Sequence, residues 1–379
     1  MQPFSLLIKP SGSDCNVDCK YCFYKHRAPE VGRGRQRMSE EVLEKLIKDY
    51  MQLGFPLADF AWQGGEPTLM GLDFYRKAVE LQKKYGSSGQ EAGNSLQTNA
   101  ILLDGQWCRF LHDNKFLVGV SIDGPKKLHD YYRLDHSGSG TFEKVMRAIE
   151  NCREYEVEFN TLTLLNDKNV EYPDKVFDFL VGLGTKYLQF IPCVEVESET
   201  NKVMGFSITP EQYGEFLCRL FDRWYEYGPR KLSIRDFDSF LSYYIAGKHS
   251  ICTFDKQCSQ YILIEHNGDA FCCDFFVEPK WRLGNIFDTP IEKLAGSSKK
   301  RNFARAKSSI CNKCLICRHL DICRGGCMKD RIVFDRENFE RESYFCEAYK
   351  RFFDYTMPRF MQIAAEVNAA SDFRSQAHI

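Results

Sequence analysis

Cys15, Cys19 and Cys22 stand at the spacing C-x3-C-x2-C, just after the short apolar run Ser5–Pro10. Three thiolates can hold three irons of a cubane [4Fe–4S] cluster. The fourth iron then keeps a position open for a small molecule, as any metal site lacking one protein ligand does. An electron-transfer ferredoxin would use four cysteines for each cluster. The spacing alone also suits a zinc knuckle or three unrelated buried thiols. A second feature follows at Gln63-Gly64-Gly65-Glu66-Pro67-Thr68. Two glycines at a strand end let a ligand approach the backbone closely, and free backbone N–H and C=O groups there can hold an amino-acid head group. A tight strand-to-helix turn would account for the same residues.

The elements that must position these residues alternate through the first two thirds of the chain. Strand candidates are Ser5–Pro10, Asp59–Gly65, Asn94–Asn99, Leu117–Asp123, Val157–Leu165 and Tyr187–Glu195, most of them short apolar or β-branched runs bounded by Gly, Asn or Asp. Between them lie amphipathic stretches. Ser39-Glu40-Glu41 offers an N-cap and an acidic first turn, Thr141 opens a second helix, and Thr209-Pro210 opens a third with Pro at its first position. Six β-α repeats predict a parallel sheet. With the cysteine motif after the first strand, the expected fold is α/β, a partial (β/α)6 TIM-like barrel with its site at the C-terminal strand ends. Tyr227-Gly228-Pro229 breaks the pattern. A core domain is expected over 1–235 and a cysteine-rich domain over 236–379, with no β-α pattern beyond about 250. A helix is expected over 351–370 and a disordered polar tail over 371–379.

Composition narrows the classes. The 379 residues are 44% hydrophobic and 27% charged with a formal net charge of −1, which gives no electrostatic case for nucleic acid or membrane as partner. No apolar run reaches the roughly 20 residues of a membrane-spanning helix, and the N-terminus lacks a signal-peptide pattern. A cytoplasmic location is expected. Seventeen cysteines there favour metal or redox chemistry over disulfides. Three lie at 15–22 and ten between 252 and 346, while Cys108, Cys152, Cys193 and Cys218 stand singly and read as small buried apolar residues. In the second group, Cys314, Cys317, Cys323 and Cys327 form a compact run followed by Cys346, with Cys252, Cys258 and Cys273 upstream. Iron–sulfur clusters or two four-thiolate zinc sites both suit that set, which would hold the region together in place of a large core.

C-x3-C-x2-C followed in the next strand by Gly-Gly-Glu-Pro resembles the radical S-adenosylmethionine (SAM) superfamily. The resemblance implies that Cys15, Cys19 and Cys22 bind the catalytic cluster and that SAM chelates its open iron. Gly64, Gly65 and Glu66 would then lie on the SAM amino group, and Tyr21, Gly65, Ser121, Arg133 and Val194 fall where relatives contact SAM. The C-terminal region resembles the SPASM domain, which carries two auxiliary clusters and makes three [4Fe–4S] clusters in all. By that resemblance Cys252, Cys258, Cys273 and Cys327 hold the first, and Cys314, Cys317, Cys323 and Cys346 the second. Cys272 beside Cys273 and Cys311 before Cys314 leave a second register open.

The stretches Leu6–Pro10, Phe60–Thr68, Ser95–Asn99, Leu188–Ile191, Cys273-Asp274-Phe275 and Trp281–Ile286 resemble the anaerobic sulfatase-maturating enzymes. The resemblance implies oxidation of a Cys or Ser of a sulfatase polypeptide to Cα-formylglycine, through a 5′-deoxyadenosyl radical that abstracts a Cβ hydrogen. Asp274 would accept the substrate proton, since a carboxylate beside a cluster ligand suits that task. Tyr24, Gln63 and Gln97 would orient the substrate. A ferredoxin or flavodoxin would donate electrons. The competing expectation is a maturase of a ribosomally made peptide that installs a thioether or other crosslink. Many such enzymes carry an N-terminal leader-recognition domain, for which a first strand at residue 5 leaves no room. A noncatalytic iron–sulfur carrier or zinc-stabilised module explains neither the missing fourth ligand nor the Gly-Gly-Glu-Pro turn.

Overall fold

Strands form where the apolar runs were expected, with ends shifted by at most three residues: β1 (Ser5–Lys9), β2 (Leu57–Trp62), β3 (Glu91–Thr98), β4 (Leu117–Ser121), β5 (Phe159–Leu165) and β6 (Tyr187–Pro192). The computed structural model describes residues 2–26, 34–197, 200, 202–335 and 340–376. The chain divides into two units. The first comprises residues 1–162, 195–203 and 259–304, and the second 163–194, 204–258 and 305–379.

In the first unit, β1 to β5 pair in parallel in chain order, with Leu6 opposite Phe60 and Ser95 opposite Leu117. Leu6, Ile8, Phe60, Trp62, Leu96, Val118 and Val120 are all buried. That burial removes enough apolar surface from water to specify the register. The helix Glu40–Met51 begins at the expected cap: Ser39 Oγ accepts the Val42 N–H at 3.2 Å, and Glu40 and Glu41 fill the first turn. The helix Phe142–Glu154 follows Thr141, but that hydroxyl does not cap it; it donates to Arg133 C=O at 2.8 Å.

Beyond residue 250, where only the loss of the β-α pattern was expected, further strands form. Tyr261–Glu265 forms β8, Asp269–Phe271 forms β9 and Arg282–Asn285 forms β10, with Ser233–Ile234 as the short β7. β8 pairs in parallel with β1, placing Lys9 opposite Glu265, and β9 and β10 continue antiparallel beyond it. Tyr261-Ile-Leu-Ile-Glu is apolar enough for a buried strand, but its cysteine-rich flanks masked it. Burying β8 beside β1 covers an edge that would otherwise expose backbone donors and acceptors.

In the second unit, β6 pairs in parallel with β7. Thr209 caps the helix Pro210–Tyr227 with a reciprocal capping box to Gln212, as Thr209-Pro210 predicted. That helix packs on the long helix Cys346–Gln376 through aromatic contacts, Tyr213 on Tyr349 at 5.9 Å and Phe221 on Phe360 at 4.8 Å between ring centroids. The long helix starts five residues before the expected 351 and continues to Gln376, past the expected end at 370; residues 377–379 of the expected tail lie outside the described residues. Cys108, Cys152 and Cys193 are buried as expected, whereas Cys218 is half-exposed. Among the described residues no helix is long and apolar enough to cross a membrane.

Candidate active site

The cysteine loop leaves the C-terminal end of β1 and is fixed on three sides. The Gly65 N–H donates to Gly12 C=O and the Glu66 N–H to Asp14 C=O, each at 2.8 Å. A Cβ on Gly65 would lie 2.1 Å from Asp14 O, so only glycine allows the two segments to close. Gly64 holds φ +124°, and a Cβ there would lie 2.8 Å from Gly12 O. On another side, the Asp18 N–H donates to Leu134 C=O at 2.7 Å and the Lys20 N–H to Tyr132 C=O at 3.3 Å. Arg37 Nη1 holds Asp14 at 2.6 Å, and His136 Nε2 meets Cys15 C=O at 2.9 Å.

Within this frame the three thiols influence one another. Burial pushes the Cys15 thiol up, and the Glu66, Cys19 and Cys22 charges push it further. Burial raises Cys19 to about 11 against the opposing charge of Arg133. Three clustered, desolvated sulfurs favour a soft metal centre that binds them as thiolates. The donor set fits an iron–sulfur cluster with one uncommitted iron.

Glu66 is wholly buried, and its carboxylate is taken up internally. Oε1 accepts from Thr68 N–H at 3.0 Å, Thr68 Oγ1 at 2.6 Å and Thr98 Oγ1 at 2.7 Å, while Oε2 accepts from Asn99 N–H at 2.7 Å. Burial raises its pKa while these bonds lower it. Asn99 in turn reaches Asn16 Oδ1 at 2.7 Å and lies 3.7 Å from Cys15 Sγ. The next residue, Ala100, is held at φ +63°, a strained conformation for an L-residue. Asn99 was missed as a site residue because Ser95–Asn99 reads as an ordinary strand end.

Asp274 follows Cys273 directly, and the Cys273 thiol lies 3.4 Å from its Oδ1. Gln63 Nε2 donates to Asp274 Oδ2 at 3.4 Å, so β2 and the turn after β9 bring these two residues together. Tyr24 is enclosed nearby. Burial pushes its hydroxyl well above the ordinary range, with Asp274 and Glu265 as the next causes. Lys9 Nζ lies 4.7 Å from the Tyr24 ring centroid and 3.3 Å from Glu265 Oε1, in a buried pair absent from the sequence reading. Ser121 ends β4, and Gln97 is exposed on β3. Val194 is buried in the second unit, where its C=O accepts from Lys329 Nζ at 3.1 Å.

Cys272 is buried, its C=O accepting from Lys300 Nζ at 2.9 Å, whereas Cys273 is only half-buried. In the second unit Cys252, Cys258 and Cys327 surround the buried Lys307 electrostatically, and Lys307 Nζ donates to Thr253 C=O and Gly326 C=O, each at 2.7 Å. A separate cavity is lined by Cys314, Cys317, Cys323 and Cys346, with His319 and Tyr349. Cys311 is not on its wall, although its sulfur lies 3.4 Å from Cys314 Sγ. Arg331 is buried beside these thiols and donates to Gly325, Ser309 and Arg324 C=O. Lys307 and Arg331 are buried cations among sulfurs, suited to thiolate-ligated clusters of negative net charge. Neither carried a sequence signal, since burial of a cation is decided by tertiary packing. Glu342, Cys346 and Glu347 also bring three ligand atoms within 4.8 Å, but Lys313 Nζ already pairs with both carboxylates.

The radical SAM superfamily model matches residues 10–180, and the SPASM model, an iron–sulfur cluster-binding domain, matches residues 252–318. A cysteine-type anaerobic sulfatase-maturating enzyme of Clostridium perfringens is 39% identical over 370 residues, covering 97% of this chain and 100% of that one. This chain belongs to the anaerobic sulfatase-maturating enzymes. A serine-type member from Bacteroides thetaiotaomicron is 36% identical, with 94% and 90% of the two chains covered. The solved structure of native anSMEcpe with bound AdoMet and Cp18Cys peptide superposes with a TM-score of 0.89 at 39% identity, covering 96% of this chain and 100% of that one. Streptococcus suis SuiB bound to S-adenosylmethionine, at 18% identity and a TM-score of 0.64, shares the fold. The chain is therefore a radical SAM enzyme of the sulfatase-maturating type, and the expected α/β radical SAM fold with a C-terminal SPASM domain holds.

Proposed function

We propose that this enzyme oxidises a Cys or Ser of a sulfatase polypeptide to Cα-formylglycine, with Asp274 as the proton acceptor. The observation that carries the reading is the placement of Asp274 between the Cys273 thiol and the Gln63 amide, in a chain related along its whole length to both cysteine-type and serine-type enzymes. Cys15, Cys19 and Cys22 hold the catalytic cluster, and the eight further cysteines named above hold the auxiliary ones. When bound, SAM and the clusters supply the one-electron chemistry that removes a Cβ hydrogen and carries the second electron away.

The chain's own groups then do the following. Gly64 and Gly65 would let SAM approach the backbone, Glu66 fixes that turn through its bonds to Thr68, Thr98 and Asn99, and Tyr21, Ser121 and Arg133 would line SAM. Gln63 and Tyr24 orient the substrate residue toward Asp274, with Gln97 at the adjacent strand end. Asp274 takes the thiol or hydroxyl proton as the aldehyde forms, and Gln63 keeps one carboxylate oxygen turned toward the substrate. Core chemistry is assigned to residues 1–235 and the auxiliary centres to 236–379. The enzyme works in the cytoplasm and draws electrons from a ferredoxin or flavodoxin.

The test is anaerobic incubation of reconstituted enzyme with SAM, reductant and two peptides, Cys-x-Pro-x-Arg and Ser-x-Pro-x-Arg. Mass spectrometry reads the aldehyde on each, beside 5′-deoxyadenosine. An aldehyde on either peptide supports the reading and assigns the substrate type. Deoxyadenosine without aldehyde on either would remove the substrate assignment.

A further inference from the structure

Asp123 is fully buried just after β4, yet no step above uses it. Its Oδ2 is the meeting point of two side chains. The Tyr21 hydroxyl donates to it, and Arg133 Nε lies 3.0 Å away. Arg133 and Asp123 form an ion pair almost wholly removed from water. Arg133 also lies 5.6 Å from the Tyr21 ring centroid, and its Nη1 is 4.0 Å from Cys19 Sγ. Tyr21 sits between Cys19 and Cys22 in sequence, so a single carboxylate ties the cysteine loop to the 132–135 segment.

The backbone on both sides is braced as well. The Asp123 N–H donates to His129 Nδ1 at 3.3 Å, His129 Nε2 meets Thr141 Oγ1 at 3.0 Å, and that hydroxyl donates to Arg133 C=O at 2.8 Å. This direction of donors requires a neutral His129 with its proton on Nε2. Burial, helped by the Arg133 charge, holds the imidazole well below its ordinary pKa. The relay begins on the backbone of Asp123 and ends on that of Arg133, which fixes the acid and the base relative to one another. It also explains why Thr141 does not cap its own helix.

We infer that Asp123 is a positioning residue for the SAM site, holding Tyr21 and Arg133 in one orientation against the cysteine loop. The inference rests on the reading that Tyr21 and Arg133 contact SAM. A buried guanidinium without its counter-charge would reorient or recruit water, and ordering that long side chain would then fall to the binding step.

Equilibrium dialysis of labelled SAM with cluster-loaded protein tests this, alongside the change SAM causes in the EPR spectrum of the reduced catalytic cluster. Asp123→Asn is expected to weaken SAM binding on the order of tenfold, as loss of a charge-assisted contact does, with iron content unchanged. Arg133→Lys should weaken it too, and the double variant should bind no more weakly than the worse single one. Wild-type affinity in Asp123→Asn beside weakened Arg133→Lys overturns the role of Asp123 and leaves Arg133 as a SAM contact. Wild-type affinity in Arg133→Lys overturns that contact and the inference together. Should Asp123→Asn fail to fold, Tyr21→Phe removes only the hydroxyl that reaches Asp123. Severalfold weaker SAM binding at full iron content is then expected, and wild-type affinity overturns the inference.

Discussion

The Asn99 N–H donates to Glu66 Oε2 at 2.7 Å, and the Asn99 side-chain amide lies 3.7 Å from Cys15 Sγ. The Gly-Gly-Glu turn is thereby joined to the end of β3, and through Asn99 to the cysteine loop. Glu66 is a buried strut whose four accepted hydrogen bonds leave it no spare role as a proton carrier. Glu66→Gln would place an amide NH2 against donors. It should cost about 1–3 kcal/mol, the penalty of unmaking buried hydrogen bonds. Thermal unfolding under anaerobic conditions should show the loss, together with reduced iron in the catalytic cluster.

Removing all three thiols of the loop should separate catalysis from the auxiliary centres. The Cys15→Ala/Cys19→Ala/Cys22→Ala variant is expected to lose 5′-deoxyadenosine production while retaining the iron bound by the C-terminal cysteines. SAM cleavage persisting in that variant would remove the loop as the catalytic cluster site.

Asp274 can be tested apart from the clusters. Asp274→Asn keeps the size of the side chain and its contact with Gln63, but cannot accept a proton at neutral pH. Deoxyadenosine should still form on incubation with peptide, and formylglycine should fall on the order of a hundredfold or more, the usual yield of a positioned base. Undiminished aldehyde would exclude Asp274.

Lys307 supplies a buried positive charge among Cys252, Cys258 and Cys327. Lys307→Met preserves much of the volume and removes the charge and both backbone contacts. Bound iron should drop by about four per chain, one cubane's worth, and the activity of the catalytic cluster in SAM cleavage should survive. Iron analysis and EPR of the reduced protein read the two effects separately.

Asp236 carries a pH prediction. Burial raises its carboxyl from 3.8 to about 6, only partly opposed by Arg235. A carboxyl raised in the folded state contributes stability that is fully present below its unfolded pKa and lost as pH rises through 6. Asp236→Asn stays neutral throughout. The variant should therefore exceed the parent in stability at pH 8 by about 3 kcal/mol or less, with the difference shrinking at pH 5. Thermal unfolding at the two pH values measures it, and a difference that grows toward acid would contradict the assignment.

Local chemistry is written in neighbouring residues. C-x3-C-x2-C and Gly-Gly-Glu-Pro declare their roles through spacing within a few residues, and Ser39 and Thr209 cap helices through bonds three residues long. Strands β1 to β6 were legible because apolar side chains recur in short bounded runs. The remaining contacts join residues far apart in the chain. Tyr21 meets Asp123 across 102 positions, Asn99 meets Cys15 across 84, and Gln63 meets Asp274 across 211. β8 became visible only when β1 offered it an edge, and Thr141 gave up its cap because His129 and Arg133 C=O compete for the same hydroxyl. Lys9, Lys307 and Arg331 look like surface cations in sequence. Burial makes each depend on a partner that spacing alone does not reveal.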